Sequence, residues 1–293
     1  MFEGFQAHDI PTNGTTLRCR IAGQGPALLL LHGHPQSHVM WHRVAPALTA
    51  HFTVICADLR GYGDSKRHAA DTDHAAHTKR TMAADLVGLM AHFGFETFRI
   101  AAHDRGARVA HRLALDYPNH VSQLLFLDIA PTLAMYEQTS DAFARAYWHW
   151  FFLIQPAPLP ERLIEADPVA YIRDVMGRRH AGLAAFAPEA WAEYARCIAL
   201  PGTATAICED YRASATTDLV HDRADRLAGN RIRAPLRVLW GSQGAVGRCF
   251  NVLPLWQSVA TDVSGRSLDC GHYIAEESPE ALLEEMVAFF QTR

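Results

Sequence analysis

The stretch Phe98 to Arg112, FRIAAHDRGARVAHR, decides the fold of this chain. Residues 98–102 form a short, mostly apolar run, which stops at His103-Asp104-Arg105-Gly106 and gives way to helical spacing. Such a run, followed by a sharp turn and an amphipathic segment, predicts a buried strand, a tight turn and a helix.

The turn Ala102-His103-Asp104-Arg105-Gly106 has the spacing of a nucleophile elbow, in which small residues flank a reactive side chain held above the sheet. Asp104 stands where such turns usually carry a serine, at the positive end of the helix, which favours an ionised carboxylate. The turn therefore predicts an oxygen-anion nucleophile. Asp is also a common helix N-cap, so this fragment alone leaves a structural role for Asp104 open.

Composition narrows the class of protein. The chain has 293 residues, 49% of them apolar, and a formal charge of −4 without Lys or Arg blocks, which argues against a nucleic-acid or membrane-surface binder. Six scattered cysteines without a C-x-x-C pair predict buried small hydrophobes rather than disulfides or a zinc site. No leader-like N-terminus or run of about 18 apolar residues is evident, so we expect a soluble cytoplasmic protein.

Strand and helix signals alternate along the chain. Residues 15–22 alternate in character like an edge strand. Helical spacing predicts helices at 41–48, 79–93 and 279–291. Apolar runs bounded by turn residues predict further strands, at residues 27–31, 52–57, 98–102, 121–128, 236–241 and 266–270.

Residues 131–230 differ from the rest, because aromatic residues and helical segments dominate there. We therefore predict an α/β core of residues 1–130 and 231–293 with an inserted helical cap at 131–230. Alternating strands and helices indicate a mostly parallel sheet covered by helices on both faces, with a ligand site at the C-terminal ends of the strands.

Four motifs in this order resemble the α/β-hydrolase fold: His32-Gly33-x-Pro35, Asp58-x-Arg60-Gly61-x-Gly63-x-Ser65, the elbow at Asp104, and Gly271-His272. With an aspartate at the elbow, the chain is similar to the haloalkane dehalogenases and epoxide hydrolases. The chain most resembles the fluoroacetate (haloacetate) dehalogenases, in HDRGARVAHR (103–112), LDIAPT (127–132), YWHWFFLIQPAPLPE (147–161) and CEDYRA (208–213). This resemblance implies conversion of a haloacetate to glycolate and halide.

The resemblance also implies catalytic roles. Asp104 would attack carbon to form an alkyl-enzyme ester, and His272 would activate the water that hydrolyses it. Asp128 would orient His272, since residues 241–246, after the next strand, contain no carboxylate. The backbone N–H groups of His34 and Arg105 would stabilise the oxyanion.

Substrate binding is expected from two further groups. Arg105 and Arg108 lie three apart on one helix face, where their guanidinium groups suit a carboxylate, although ordinary surface ion pairing is the alternative. We call this pair the carboxylate clamp. The resemblance places His149, Trp150 and Tyr211 at the halide, and we call them the halide site; without it they would be read as packing residues.

Two positions depart from the family pattern. His34 replaces an aromatic residue, and a cap tryptophan expected near Arg178 is absent. Either Arg178 supplies another substrate cation, or the alignment shifts here.

Alternatives stay open at this point. An epoxide hydrolase would use Tyr147 and Tyr211, a metal-dependent hydrolase would use His32-x-His34-x-x-x-His38, and a non-catalytic binder could share the fold. The favoured interpretation predicts a haloacid and water as partners, a homodimer, and no cofactor, metal, nucleic acid or membrane.

Overall fold

The computed structural model describes residues 1–291, and its centre is one eight-stranded sheet. The strands are Gln6–Thr12 (β1), Thr15–Ala22 (β2), Ala27–Leu31 (β3), Thr53–Ala57 (β4), Phe98–His103 (β5), Val121–Leu127 (β6), Leu236–Gly241 (β7) and Val263–Leu268 (β8). Their order is β1-β2-β4-β3-β5-β6-β7-β8. Strands β1, β2 and β4 pair antiparallel and all other neighbours pair parallel, which confirms the predicted α/β fold.

Helices connect the strands. The first three are Ala45–Leu48 (α1), Lys79–His92 (α2) and Asp104–Asp116 (α3). Between β6 and β7 lie Thr132–Glu137 (α4), Asp141–Ala146 (α5), Trp148–Leu153 (α6), Leu159–Ala166 (α7), Pro168–Gly177 (α8), Pro188–Ile198 (α9), Thr203–Ala215 (α10) and Thr217–Ala228 (α11). The last four are Ala245–Cys249 (α12), Val252–Gln257 (α13), Ile274–Glu277 (α14) and Pro279–Gln291 (α15).

The central strands are covered on both faces. All five residues of β3 are buried, and β4 and β6 are nearly so. Because successive side chains of a strand point to opposite faces, this burial requires helices on each side of the sheet. Residues 132–228 form helices and connecting turns; the cap boundaries at 131 and 230 stay a prediction.

The prediction that residues 15–22 form an edge strand is wrong. β2 has β4 on one side and β1 on the other, so the edge belongs to β1. The signal that could have revealed β1 is the two-residue turn Asn13-Gly14, where both residues have positive φ and Thr12 pairs with Thr15. Alternation along β2 reports which side chains are buried and carries no information about its backbone partners.

Two other boundaries differ from prediction. The helix expected at 41–48 is a short 3₁₀ turn, His38–Trp41, followed by α1. The last strand begins at Val263 rather than at 266.

The described chain yields two further observations. None of the helices within residues 1–291 is both long and apolar enough to cross a bilayer. All six cysteines are free thiols, and five are buried as predicted, whereas Cys249 is partly exposed.

Candidate active site

Asp104 begins α3 in a strained conformation, with φ of 41°, which L-residues rarely adopt. Glycines allow the surrounding loops to approach it. A Cβ on Gly33 would lie 2.6 Å from Cβ of Asp104, and a Cβ on Gly106 would lie 2.5 Å from the carbonyl oxygen of His32. The turn thus holds one carboxylate at the C-terminal end of β5, as the elbow pattern predicted.

The two carboxylate oxygens of Asp104 differ. Oδ2 accepts a hydrogen bond from the backbone N–H of His34 at 3.1 Å. Oδ1 is buried without a hydrogen-bond partner among residues 1–291, and lies 4.0 Å from Nε of Arg108. Burial would raise the pKa of Asp104, but the neighbouring side chains of His272, Arg108, His103 and Arg105 hold it well below its usual range. Oδ1 is therefore an ionised oxygen available to a ligand.

His272 and Asp128 lie together after β8 and β6. Nδ1 of His272 is 2.6 Å from Oδ2 of Asp128, and Oδ1 of Asp128 accepts a hydrogen bond from the backbone N–H of Gly241 at 3.0 Å. Burial, with a contribution from Arg179, lowers the pKa of His272 to about 3, so its imidazole is neutral. If Nδ1 carries the proton and donates to Asp128, Nε2 has the lone pair that a general base needs.

Arg105 is fully buried and bound to an acid that sequence reasoning missed. Its Nε and Nη2 each donate to Asp210 at 2.8 Å, and its Nη1 has no partner in the described part of the chain. Asp210 also contacts Lys79 and accepts a hydrogen bond from Tyr62. Asp210 therefore fixes Arg105 and leaves its Nη1 amino group for a ligand. The sequence contained a signal for Asp210, because this residue lies in the CEDYRA segment that carries the family resemblance.

Arg108 is held by neutral acceptors rather than by an acid. Its Nη1 donates to the carbonyl oxygen of Ala130 and to Oγ1 of Thr132, at 3.2 and 2.9 Å. Nε has no hydrogen-bond partner within residues 1–291. Because both arginines are buried, surface ion pairing is wrong for them. The carboxylate clamp offers one unpartnered nitrogen from each arginine, Nη1 of Arg105 and Nε of Arg108.

The predicted halide-site residues lie beside the clamp. The rings of Trp150 and Tyr211 are 6.3 Å apart, and His149 is 6.1 Å from Tyr211. The guanidinium carbon of Arg105 lies 4.1 Å from the Tyr211 ring centroid, and that of Arg108 lies 4.7 Å from that of Trp150. Nε1 of Trp150 and Oη of Tyr211 are buried and have no partner among the described residues.

His34 packs against neighbouring aromatic rings. Its ring is 5.9 Å from His149, nearly parallel to it, and 5.3 Å from Tyr211. Nε2 is 3.2 Å from the Tyr171 hydroxyl, whereas Nδ1 is buried without a partner in residues 1–291. Burial lowers the pKa of His34 to about 3, so the ring is neutral.

The expectation that Arg178 supplies a substrate cation is wrong. Its side chain is 70% exposed and pairs with Asp174 on the surface. The next residue, Arg179, lies with its guanidinium carbon 4.3 Å from the Tyr147 ring centroid, and the Tyr147 hydroxyl is 3.5 Å from Nδ1 of His272. Helix α8 ends at Gly177, so side-chain directions change from one residue to the next, which sequence alone did not reveal.

The three histidines of the metal alternative have separate surroundings. Nε2 of His32 accepts from the backbone N–H of Leu59 at 3.0 Å, and Nδ1 of His38 is 2.9 Å from Asp58. With His34 near Tyr171, their ring nitrogens do not meet as one ligand set in the described structure.

Comparisons with known proteins identify the family of this chain. Residues 26–279 match the model of the alpha/beta hydrolase fold family. Fluoroacetate dehalogenase from Burkholderia sp is 42% identical over 281 residues, 96% of this chain and 92% of that protein. The soluble epoxide hydrolase of Corynebacterium sp. (strain C12) is 34% identical over 291 residues, 97% of this chain and 96% of that protein.

A solved structure gives the same result. The crystal structure of an alpha/beta hydrolase from Nostoc sp PCC 7120 is 49% identical, has a TM-score of 0.97 and is covered over 100% of both chains. These findings confirm the predicted resemblance. The protein is a hydrolase of the α/β-hydrolase fold family, similar over nearly its whole length to fluoroacetate dehalogenase.

Proposed function

We propose that this hydrolase is a haloacetate dehalogenase, which converts fluoroacetate or chloroacetate to glycolate. One observation carries the proposal: five of the nineteen buried polar side-chain atoms without a partner in residues 1–291 belong together to the nucleophile, the carboxylate clamp and the halide site. They are Asp104 Oδ1, Arg105 Nη1, Arg108 Nε, Trp150 Nε1 and Tyr211 Oη. Buried polar atoms are nearly always hydrogen-bonded in proteins, so such a group indicates a ligand with a carboxylate and a second acceptor.

The first step is displacement at carbon. Oδ1 of Asp104 forms a bond to the carbon that carries the halogen, while the carbon–halogen bond breaks and its electron pair leaves with the halide. The clamp would hold the substrate carboxylate, so that Oδ1 and the halogen are in line on opposite sides of that carbon. N–H and O–H donors of the halide site would stabilise the departing ion in a dry environment.

The second step is hydrolysis of the ester. His272 takes a proton from water, whose oxygen attacks Cγ of Asp104. The charge then develops on Oδ2, to which the backbone N–H of His34 already donates. Collapse breaks the Cγ–Oδ1 bond, and glycolate leaves with Oδ1 and the proton from His272. Haloacetate and water thus become glycolate, halide and a proton.

Epoxide hydrolysis is the second candidate function, because an epoxide hydrolase is among the relatives and the Tyr211 hydroxyl has no partner in the described residues. The charge of the substrate separates the two candidates. We expect halide release from fluoroacetate and chloroacetate. Chloroacetamide, which has the same leaving group without the carboxylate, should react at least about 100-fold less efficiently, because two buried cations would face a neutral group. Faster formation of diol from styrene oxide than of halide from any haloacetate would favour the epoxide hydrolase.

The pH dependence of turnover should follow Asp128. Burial raises its pKa to about 7, so it gains a proton as the pH falls through that value and can no longer stabilise the imidazolium of His272. Asp104 stays ionised, because its pKa lies well below the usual range. We therefore expect kcat to fall below about pH 7 and to level off above it. A kcat that stays constant from about pH 8 down to about pH 5 in halide-release assays would contradict this assignment.

The remaining expectations concern partners, cofactors, oligomeric state and location. The proposed partners are a small haloacid and water, and the proposed reaction needs no cofactor or metal. The homodimer and the cytoplasmic location stay predictions.

A further inference from the structure

Arg179 is a cation at the candidate site that the proposed reaction does not use. Its guanidinium lies 4.3 Å from the Tyr147 ring centroid, and Tyr147 in turn lies beside the candidate base His272. The guanidinium has neither an acidic partner nor a hydrogen bond to any residue in the range 1–291. Guanidinium groups carry five N–H donors and do not lose their charge in proteins, so this one is suited to an anion.

The surroundings of Arg179 favour its charge. Burial would lower its pKa, but Tyr147, Tyr273 and the carboxylates Asp128 and Asp104 raise it above the usual value. The guanidinium therefore belongs to the electrostatic environment of the nucleophile and of its orienting acid, although it comes from the loop after α8.

The substrate carboxylate assumed so far does not need Arg179. The carboxylate clamp already supplies two unpartnered donor nitrogens from α3, one from each arginine, for the two oxygens of one carboxylate. The guanidinium groups of the clamp lie against Tyr211 and Trp150, whereas Arg179 lies against Tyr147. A monoanionic haloacetate in the clamp would therefore leave the guanidinium of Arg179 without a hydrogen-bonded anion.

His34 is a second polar group in this region. Its unpartnered Nδ1 belongs to a ring 5.9 Å from His149, and the His149 ring is 5.4 Å from that of Tyr147. His34 and Arg179 lie at the two places where the chain departs from the family pattern. Both contact the neighbouring rings of His149 and Tyr147, His34 through His149 and Arg179 through Tyr147. An aromatic residue at either position would accept an apolar substituent, whereas Arg179 and His34 suit a charged one.

We propose that Arg179 forms a second anion-binding subsite, and that the enzyme prefers short 2-halodicarboxylates over halomonocarboxylates of the same length. One carboxylate would bind the clamp and the other Arg179, with the halogen-bearing carbon between them and Asp104. The product would be the corresponding 2-hydroxydicarboxylate. This inference rests on the proposed function, because the reaction at carbon is the same.

The test compares 2-chlorosuccinate with 2-chlorobutanoate, which has a methyl group in place of the second carboxylate. Chloride release gives kcat/KM for the wild type, for Arg179→Leu, for Arg179→Lys, and for the matched surface control Arg178→Leu. We expect the wild type to prefer 2-chlorosuccinate at least about tenfold, since a hydrogen-bonded charge pair contributes about that factor or more. Arg179→Leu should remove this preference, Arg179→Lys should retain part of it, and Arg178→Leu should leave it unchanged.

Two results would overturn the subsite. One is an unchanged preference in Arg179→Leu, and the other is an equal loss for both substrates, which would mean that Arg179 serves the shared carboxylate or His272.

A binding measurement separates this inference from the proposed reaction. Calorimetric titration with succinate and butanoate, which carry no halogen, tests the subsite without turnover. If no haloacid releases chloride but Arg179→Leu weakens succinate binding at least about tenfold and leaves butanoate binding unchanged, the reaction is wrong and the subsite stands. If succinate binds the wild type and Arg179→Leu equally, the subsite is wrong whatever the reaction.

Discussion

Replacement of Asp104 by Asn should abolish halide release from haloacetates, with a loss in kcat of at least about 10,000-fold. The amide has nearly the same shape, so the elbow and its 3.1 Å contact with the backbone N–H of His34 can persist. It lacks the ionised oxygen that displaces the halide, and a neutral amide is a poor nucleophile. Halide release should be measured over many hours, at a protein concentration far above the lowest halide concentration that the assay detects. Any residual reaction would then be visible.

The control for this variant is Asp141→Asn. Asp141 is an exposed aspartate, 77% accessible, whose side chain pairs with Arg145 on the surface, so its replacement should leave kcat unchanged. Deamidation of the introduced asparagine in Asp104→Asn would restore the nucleophile, and intact-protein mass spectrometry must exclude it. Substantial turnover by a variant whose introduced amide is shown to be intact would refute a covalent reaction at this residue.

The second large effect is expected at His272. Replacement by Ala removes the general base but leaves Asp104 ionised, so the first step should still occur. Loss of a positioned general base slows hydrolysis by about 100- to 10,000-fold, and the ester should then accumulate. We expect one equivalent of halide per site to be released rapidly, followed by little further release.

Mass spectrometry identifies the trapped species. After incubation with chloroacetate, the peptide that contains Asp104 should carry one added carboxymethyl group in His272→Ala. The double variant Asp104→Asn with His272→Ala should carry none, and His92→Ala, which alters an exposed histidine at the end of α2, should turn over like the wild type. Sustained turnover by His272→Ala, or release of halide without any adduct, would contradict the two-step reaction.

Local sequence patterns predicted much of the fold. The unit around Asp104 combines an apolar strand, a turn that needs glycine nearby and an amphipathic helix, and these features depend on residues close together in sequence. The helix predicted at 79–93 was confirmed as α2 for the same reason. Asp128 and His272 were identified through the family resemblance, and the structure brings their side chains to within 2.6 Å.

The sequence by itself thus determined the strand–helix alternation and the elbow, because periodicity and motif spacing record them, whereas the family resemblance supplied the candidates Asp128 and His272. Only the tertiary structure decided that Asp210 fixes Arg105 and that Arg179 rather than Arg178 faces the site. Arg105 and Asp210 are separated by 105 residues, and the direction of Arg179 depends on where α8 ends. Such contacts depend on how distant segments pack, which local patterns do not encode.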